Sequence, residues 1–243
     1  MKNTARHKHP VIKVLLYHEV GPYPRESANL DCFCAQSLFR EQMRLLKTSG
    51  IPVLTAADAC AAVGHASRPN TDSVVLTFDD GDAGFLEYAL PVLQEFSFPA
   101  TVFAVAGQLG QRAGWVKDSR NAIPLMTAQQ LRSLDPAQID IGSHSMTHRK
   151  LTEVSLAEAT DELGQSKALL EDVLGRPVTA FAYPHGRYDA HMMQLVEAAG
   201  YCYAYSTDGE RIFGNPADRF RLPRKYITYY DNLDAFKAKV QSC

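Results

Sequence analysis

Short apolar runs rich in β-forming residues alternate along this chain with longer segments that carry helix-capping signals. This order is typical of repeated βα units, because two neighbouring parallel strands need a long connection, usually a helix. Eight runs qualify as strands, and eight such units favour an α/β barrel over a sandwich or a helical bundle. The predicted strands span residues 12–17, 52–54, 74–78, 100–105, 139–141, 179–182, 202–205 and 222–227.

Capping signals predict where several of the helices begin and end. Thr127 and Ser155 each stand three residues before a Gln or Glu that can reach back to the cap amide, which is the pattern of a capping box. The helix after Ser155 is predicted over residues 156–174 and ends at Gly175, which can take the left-handed conformation of a helix terminus. Asp189 is predicted to cap a further helix.

The composition supports a single domain. Hydrophobic residues make up 46% of the 243 residues, enough to bury the core of one domain without disulfide bonds. No internal repeat, low-complexity tract or long interior linker marks a boundary. We therefore predict one domain over residues 1–243, with its core at about 11–228. The cysteines are scattered along the chain, which favours free thiols over a disulfide framework.

The charge balance and the amino-terminal segment restrict the partners and the location. Lys and Arg total 25 against 27 Asp and Glu, so nothing in the charge favours binding to nucleic acid. The apolar stretch at residues 11–17 contains Lys13 and is too short for a signal-peptide core or a membrane span. We expect a cytoplasmic protein, either free or peripheral to the membrane, without a transmembrane segment. The sequence leaves the oligomeric state open.

Two aspartates, Asp79 and Asp80, directly follow the predicted strand 74–78 and precede a glycine. The carboxyl ends of parallel strands carry the functional residues of α/β barrels, so at least one carboxylate should point into a site. One aspartate can then bind a metal while its neighbour acts as a base. The alternative is an ordinary turn, since Asp-Asp-Gly is also common turn chemistry.

Two histidines four residues apart, His144 and His148, follow the predicted strand 139–141. We predict that they lie on one face of a helical turn, where both imidazoles can approach one ion at about 2 Å. They should lie at the same end of the sheet as the aspartates. Two histidines and one carboxylate leave positions open for water and substrate, as catalytic zinc sites require. The alternative is a solvent-facing pair.

Two blocks of sequence resemble a known family. TFDDG at residues 77–81 and HSMTH at residues 144–148 are similar to the first and second motifs of the NodB-type polysaccharide deacetylases of carbohydrate esterase family four. The resemblance extends over residues 11–227. It implies a distorted (β/α) barrel of NodB-homology type with seven or eight strands, in agreement with the alternation of strands and helices.

The resemblance also implies roles for the four residues. Asp79 would be the general base, and Asp80, His144 and His148 would bind a divalent metal, usually zinc. Cobalt and nickel are alternatives, because they accept the same nitrogen and oxygen ligands. The implied reaction is removal of an acetyl group from an N-acetylated amino sugar in a saccharide or glycoconjugate, with water bound to the metal as the nucleophile.

The third motif of the family is matched less closely. AYPHG at residues 182–186 has alanine where the family places an arginine, and this form resembles the subgroup that acts on poly-N-acetylglucosamine and related glycans. Arg224 is the candidate replacement partner of the base, or else a surface residue. No histidine after residue 212 matches the late histidine of the family. His185 is our first candidate for the general acid and His18 the second, and each could instead be structural.

Further residues are predicted to contact the substrate. The third-motif residues Tyr183, Pro184 and Gly186 are assigned to substrate binding together with His18. Two segments, 21–35 and 107–124, are longer than packing requires and are candidate substrate-facing loops. Aromatic side chains could stack on sugar rings, although most aromatics in such a chain are core residues; the candidates are Tyr183, Tyr188, Trp115 and Tyr229.

Two other functions stay open at this point. The first is hydrolysis of a formamide or a cyclic amide on the same scaffold, since fold and metal site do not determine the substrate. The second is a glycan-binding barrel without catalytic activity, which the missing arginine and late histidine would favour. The intact set of Asp79, Asp80, His144 and His148 argues against the second.

Overall fold

The structure is a computed structural model of the 243-residue chain and describes residues 11–24, 28–62, 71–118, 121–207 and 219–241. The strands are β1 Ile12–Tyr17, β2 Glu19–Gly21, β3 Phe33–Ala35, β4 Val53–Leu54, β5 Ser73–Phe78, β6 Ala100–Ala104, β7 Ile139–Ser143, β8 Ala180–Ala182, β9 Tyr203–Tyr205 and β10 Lys225–Tyr226. The α-helices are α1 Gln36–Thr48, α2 Ala56–Ala62, α3 Leu90–Phe96, α4 Ala128–Ser133, α5 Leu156–Leu174, α6 Ala190–Ala198 and α7 Leu233–Val240.

Eight of these strands form one parallel sheet. Its spatial order is β10-β1-β5-β6-β7-β8-β9, and β4 pairs with the first half of β5. Every residue of β1 and of β5 is buried. Parallel strands that are covered on both faces read as continuous apolar runs, which is why these two are readily found in the sequence.

The segment over residues 222–227 connects the two ends of the sheet. Leu222 pairs in parallel with Tyr205 of β9, and the Ile227 amide donates to the Leu16 carbonyl of β1 at 2.8 Å. The predicted strand 222–227 is therefore reduced to β10 and one bridge, because Pro223 has no amide to donate between them. This closure confirms the predicted α/β barrel.

A second sheet, β2 paired in parallel with β3, was not predicted. It lies partly within the segment 21–35, which we expected to be irregular. Strands of three residues are too short to show a period, and a 3₁₀ helix, Leu30–Cys32, immediately precedes β3. The described part of the other predicted loop, residues 107–118 and 121–124, is irregular apart from one isolated bridge between Arg112 and Pro124 and a short 3₁₀ helix at its start.

The predicted helix boundaries are confirmed. Both capping boxes form, at Thr127 for α4 and at Ser155 for α5. Gly175 ends α5 with a φ of 66°, and the Asp189 side chain accepts from the Met192 amide at the start of α6. Among the described helices, none combines the length and apolar character needed to cross a membrane.

Alternate residues of the strands pack into two separate clusters. Leu15 and Leu76 pack outward with residues of the surrounding helices. Val75, Phe103 and Tyr205 belong to a second cluster inside the ring of strands. Within the described residues the cysteines are free thiols, as predicted; Cys243 lies outside those residues.

Candidate metal centre

The two aspartates follow β5 and turn to the same side. Successive residues of an extended strand point to opposite faces, so a straight continuation would separate the two carboxylates. Instead Asp80 and Gly81 have φ angles of 72° and 76°, in the left-handed region. As a result Asp79 Oδ2 lies 3.7 Å and Asp80 Oδ1 lies 3.6 Å from Nε2 of His144.

The two histidines lie on a loop, not on a helical turn. We call residues 144–148 the ligand loop; it follows β7 directly. Ser145 and His148 have φ angles of 66° and 64°, and the His148 amide donates to Ser145 Oγ at 3.0 Å. The predicted helical turn is therefore wrong, because left-handed residues and a side-chain acceptor replace its backbone pattern.

Neighbouring backbone binds the ligand loop on one side. The Ala106 amide donates to the Ser145 carbonyl at 3.0 Å, and the Gly107 amide donates to the Met146 carbonyl at 2.9 Å. A Cβ at Gly107 would lie 2.6 Å from that carbonyl oxygen, closer than van der Waals contact allows. Glycine at this position is thus needed for the close approach of the two loops.

Replacing Gly107 with alanine should destabilise the fold by about 1–3 kcal/mol, because the added methyl must displace the ligand loop. The measurement is urea unfolding followed by circular dichroism. Gly164→Ala is the matched control: a Cβ at Gly164 in α5 meets nothing within 4 Å, so this change should leave stability equal or higher. Equal unfolding midpoints for the two variants would contradict the tight contact.

Three side chains form a candidate cation site. The ligand atoms of Asp80, His144 and His148 all lie within 4.8 Å of one another, with 3.4 Å between His148 Nε2 and Asp80 Oδ1. Asp80 Oδ1 is buried and has no hydrogen-bond partner. A buried orphan carboxylate oxygen beside two imidazole nitrogens fits a divalent cation of the zinc, cobalt or nickel type.

The tautomer of His144 is determined by its surroundings. Its Nδ1 lies 2.8 Å from the Ala182 carbonyl, which can only accept, so Nδ1 carries the proton and Nε2 presents a lone pair to the site. Burial lowers the pKa of His144 to about 4, so the ring is neutral near pH 7. Trp115 stacks on His148 with 4.1 Å between ring centroids.

Arg224 is the buried partner of Asp79. Its Nη1 and Nη2 donate to the two oxygens of Asp79 at 2.6 and 2.7 Å, and its Nε donates to the Ser206 carbonyl at 3.2 Å. Burial alone would raise the pKa of Asp79, but the Arg224 charge and His144 outweigh it and hold that pKa below its usual value. Asp79 is therefore ionised, and Arg224 is not a surface residue.

A pocket of about 560 Å³ opens over these groups. Both segments predicted to face a substrate contribute to it: 21–35 through Asn29 and Cys32, and 107–124 through Trp115 and its neighbours. The lining comprises His18, Glu19, Asn29, Cys32, Asp79, Asp80, Ala113, Trp115, Val116, Asp118, Asn121, Ile123, His144, His148, His185, Gly186, Thr207 and Tyr226.

The structure corrects the placement of two third-motif residues. Tyr183 is fully buried, and its hydroxyl donates to the Phe220 carbonyl at 2.9 Å, so its ring packs behind the pocket. Pro184 is also buried and outside the lining. Gly186 does line the pocket, with a φ of 68°, and a Cβ there would collide with Thr207 Oγ1.

The two candidate general acids have different surroundings. His18 stacks on Tyr226 at 5.6 Å, and its Nδ1 is buried without a hydrogen-bond partner. His185 is exposed, and its ring lies 4.7 Å from that of His148. Partial desolvation of its ring, together with the charges of His148 and Lys150, lowers the pKa of His185, so it is poorly suited to carry a proton near neutral pH.

Several residues at the site were not predicted from the sequence. Tyr226 lines the pocket, yet no motif or spacing distinguishes it, and Asn29 and Cys32 were predicted only as members of the segment 21–35. Glu162 on α5 contacts the ligand loop, and here a signal did exist. Glu162 lies next to Leu163 on the buried face of α5. A buried acid without a partner would be costly, so an acid on this face indicates a specific hydrogen-bonding role.

The fold and the site together define a class of protein: a parallel α/β barrel with an aspartate pair and two histidines at the carboxyl ends of its strands. A family model described as polysaccharide deacetylase matches residues 66–204, more than half of the chain. The chain therefore belongs to the polysaccharide deacetylase family, and the resemblance seen in the two motifs is confirmed.

Curated relatives agree with this assignment. YxkH of Bacillus subtilis (strain 168), which has a provisional polysaccharide deacetylase name, is 24% identical over 197 residues, 81% of this chain and 64% of the relative. The poly-beta-1,6-N-acetyl-D-glucosamine N-deacetylase of Staphylococcus aureus (strain MSSA476) is 26% identical over 197 residues, 80% of this chain and 67% of the relative. The match thus spans about two thirds of the length of these relatives.

Solved structures share the fold. The Streptococcus pyogenes deacetylase PplD, determined in complex with acetate, has a TM-score of 0.82 at 24% identity and covers 96% of this chain and 99% of that chain. IcaB from Ammonifex degensii has a TM-score of 0.80 at 21% identity, and the match covers 96% of this chain and 98% of that chain. At these identities the likeness establishes the barrel and nothing about the substrate.

Proposed function

We propose that this protein is a metal-dependent hydrolase that removes the acetyl group from an N-acetylated amino sugar in a saccharide or glycoconjugate. One observation carries the proposal. Asp79 is ionised and lies in the same pocket as three potential metal ligands, but it is not one of them. Its carboxylate is instead bound by Arg224. A base separate from the ligands is what hydrolysis of an unactivated amide requires.

Asp80, His144 and His148 would hold the ion, with zinc first and cobalt or nickel as alternatives. A bound divalent cation supplies Lewis-acid polarisation of the amide carbonyl and lowers the pKa of water. The protein contributes the orientation of the ligands: the Ala182 carbonyl fixes the proton of His144 on Nδ1, so that Nε2 faces the ion.

Asp79 accepts the proton of the attacking water. Arg224 binds both of its oxygens and keeps it ionised, and each carboxylate oxygen retains a lone pair for the incoming proton. Arg224 comes from the segment that connects β9 to β1, not from the third motif. Arg224 thus binds Asp79 although position 182 is alanine. The missing third-motif arginine is therefore no longer an argument for a non-catalytic barrel.

The departing amine needs a proton, and the geometry favours His18 over His185 as its donor. His18 lies at the end of β1, lines the pocket, and is among the charges that lower the pKa of both Asp79 and Asp80. His185 is exposed, and partial burial and the charges of His148 and Lys150 lower its pKa in spite of the nearby Asp80.

The pocket and the relatives support the proposed substrate class. A volume of about 560 Å³ is within the range of small-ligand sites, roughly 300–1,000 Å³, and accommodates a sugar residue with its acetamide. One curated relative is named for poly-beta-1,6-N-acetyl-D-glucosamine. We extend that substrate class to this chain, as an N-acetylglucosamine-containing saccharide.

The test is a metal analysis of the purified protein combined with acetate release from β-1,4- and β-1,6-linked N-acetylglucosamine oligomers. We expect activity to be lost on exhaustive chelation and restored by Zn²⁺ or Co²⁺. Faster formate release from an N-formylated amino sugar would favour the deformylase alternative. Binding of the oligomers without acetate release, at any divalent metal, would favour the glycan-binding alternative.

A further inference from the structure

We propose that Glu162 is a positioning residue that sets the shape of the ligand loop and thereby the metal affinity. Glu162 lies on α5, outside the pocket and outside both sequence motifs. The proposal deepens the proposed metal-dependent function and rests on it in one respect only, namely that Asp80, His144 and His148 bind a divalent cation.

The Glu162 carboxylate accepts three hydrogen bonds from the middle of the ligand loop. The amides of Met146 and Thr147 both donate to Oε2 at 2.9 Å, and the Thr147 hydroxyl donates to Oε1. These two residues lie between the two histidines in the sequence. A single side chain therefore binds the part of the loop that separates the two imidazole ligands.

The Glu162 carboxylate is buried, so it depends on its hydrogen-bond partners in the ligand loop. Glu162 is 7% exposed, and a buried carboxylate is costly unless its oxygens are hydrogen-bonded. Here both oxygens have partners supplied by the loop. The carboxylate also stands on a rigid support, since α5 has a capping box at Ser155 and a left-handed glycine at its carboxyl end.

The loop needs such support because its backbone is unfavourable by itself. Ser145 and His148 are both left-handed, a conformation that L-residues avoid unless the surroundings enforce it. Ala106 and Gly107 bind the carbonyls of the loop, and Glu162 binds its amides. Without Glu162 these amides would lose their acceptor, and the backbone turn that directs His148 toward Asp80 would lose one of its two supports.

A graded set of variants tests the proposal. Glu162→Leu keeps the volume and removes both acceptor oxygens, and with them all three hydrogen bonds. We therefore expect Zn²⁺ and Co²⁺ affinity to fall about 10- to 100-fold, as is typical for groups that orient metal ligands. Glu162→Gln retains the shape and an oxygen for the two amides, so it should restore affinity to within about threefold of wild type. Asp161→Asn, which alters an exposed carboxylate one position earlier, is the matched control and should change nothing.

The readout does not depend on catalysis. Trp115 is the sole tryptophan of the chain and stacks on His148, so its fluorescence should be quenched on titration with Co²⁺. Urea unfolding of the metal-free variants is measured in parallel. A purely structural role predicts lower stability with unchanged metal affinity, and that result would overturn the proposal.

Thr147→Val keeps the test decisive if Glu162→Leu does not fold. It removes one of the three hydrogen bonds and leaves the carboxylate in place, so metal affinity should fall by a smaller factor, about two- to fivefold. If Glu162→Leu does not fold, unchanged metal affinity in Thr147→Val would refute the proposal. Wild-type protein that binds metal but releases no acetate would refute the proposed hydrolysis and leave the role of Glu162 intact.

Discussion

Replacing Asp79 with asparagine should reduce acetate release by about 10²- to 10⁴-fold, the range attributed to a positioned general base, while metal content stays at the wild-type level. Asparagine is nearly isosteric but cannot accept the proton of the attacking water. The three proposed ligands are untouched by the change. The measurement is a steady-state acetate assay together with metal analysis of the same preparation.

The same variant should also be less stable, because Arg224 loses a charged partner in a fully buried position. Removing one partner of a buried ion pair costs about 3–5 kcal/mol of stability. The amide oxygen of asparagine can still accept from Arg224, so the loss should lie at the lower end of that range. Asp172→Asn on the exposed side of α5 is the control for loss of a carboxylate. Full activity in Asp79→Asn, or loss of metal along with activity, would contradict the assignment of Asp79 as base.

Replacing His144 with alanine should weaken Zn²⁺ binding by at least about 100-fold. Structural zinc sites bind with roughly 10–16 kcal/mol from four ligands, so one ligand contributes about 3 kcal/mol, which corresponds to two orders of magnitude. Activity at micromolar zinc should disappear and should return in part at higher metal concentration. Isothermal titration of the metal-free protein measures the affinity directly.

His191→Ala is the matched control for this prediction. His191 lies on α6, is exposed, and is outside the pocket lining, so its removal should leave the dissociation constant unchanged. If His144→Ala and Asp79→Asn lost metal to the same extent, the division between ligand and base would be wrong. If neither lost metal, the ion would have to bind elsewhere.

The clustering of Asp79, Asp80, His144 and His148 was predictable from the sequence because these residues lie in two contiguous blocks at strand ends. Parallel strands place all their carboxyl ends at one edge, so residues 77–81 and 144–148 were expected at the same end of the sheet once both strands were identified.

The partner of the base could not be derived in the same way. Arg224 is 145 positions from Asp79 along the chain, and only the connection of β9 to β1 through the segment 222–227 brings the two side chains together. A single arginine in such a segment has no local signature of burial. The sequence therefore left a buried partner and a surface residue as equal alternatives.

Local conformation accounts for the remaining errors. A His-x-x-x-His spacing fits a helical turn, but Ser145 and His148 adopt positive φ because acceptors and donors from other segments bind the ligand loop. Tyr183 looked like a pocket residue because it adjoins Gly186 in the third motif. It instead continues the buried strand β8, where its amide donates to the Tyr205 carbonyl.

The central claim is that Asp80, His144 and His148 share one divalent cation while Asp79 stays with Arg224. Anomalous diffraction at the zinc edge, from crystals grown with Zn²⁺, tests it most directly. We predict one peak at about 2.0–2.2 Å from a carboxylate oxygen of Asp80 and from both Nε2 atoms. A map with no peak there, or with Asp79 as a ligand and its contact with Arg224 broken, would contradict the claim.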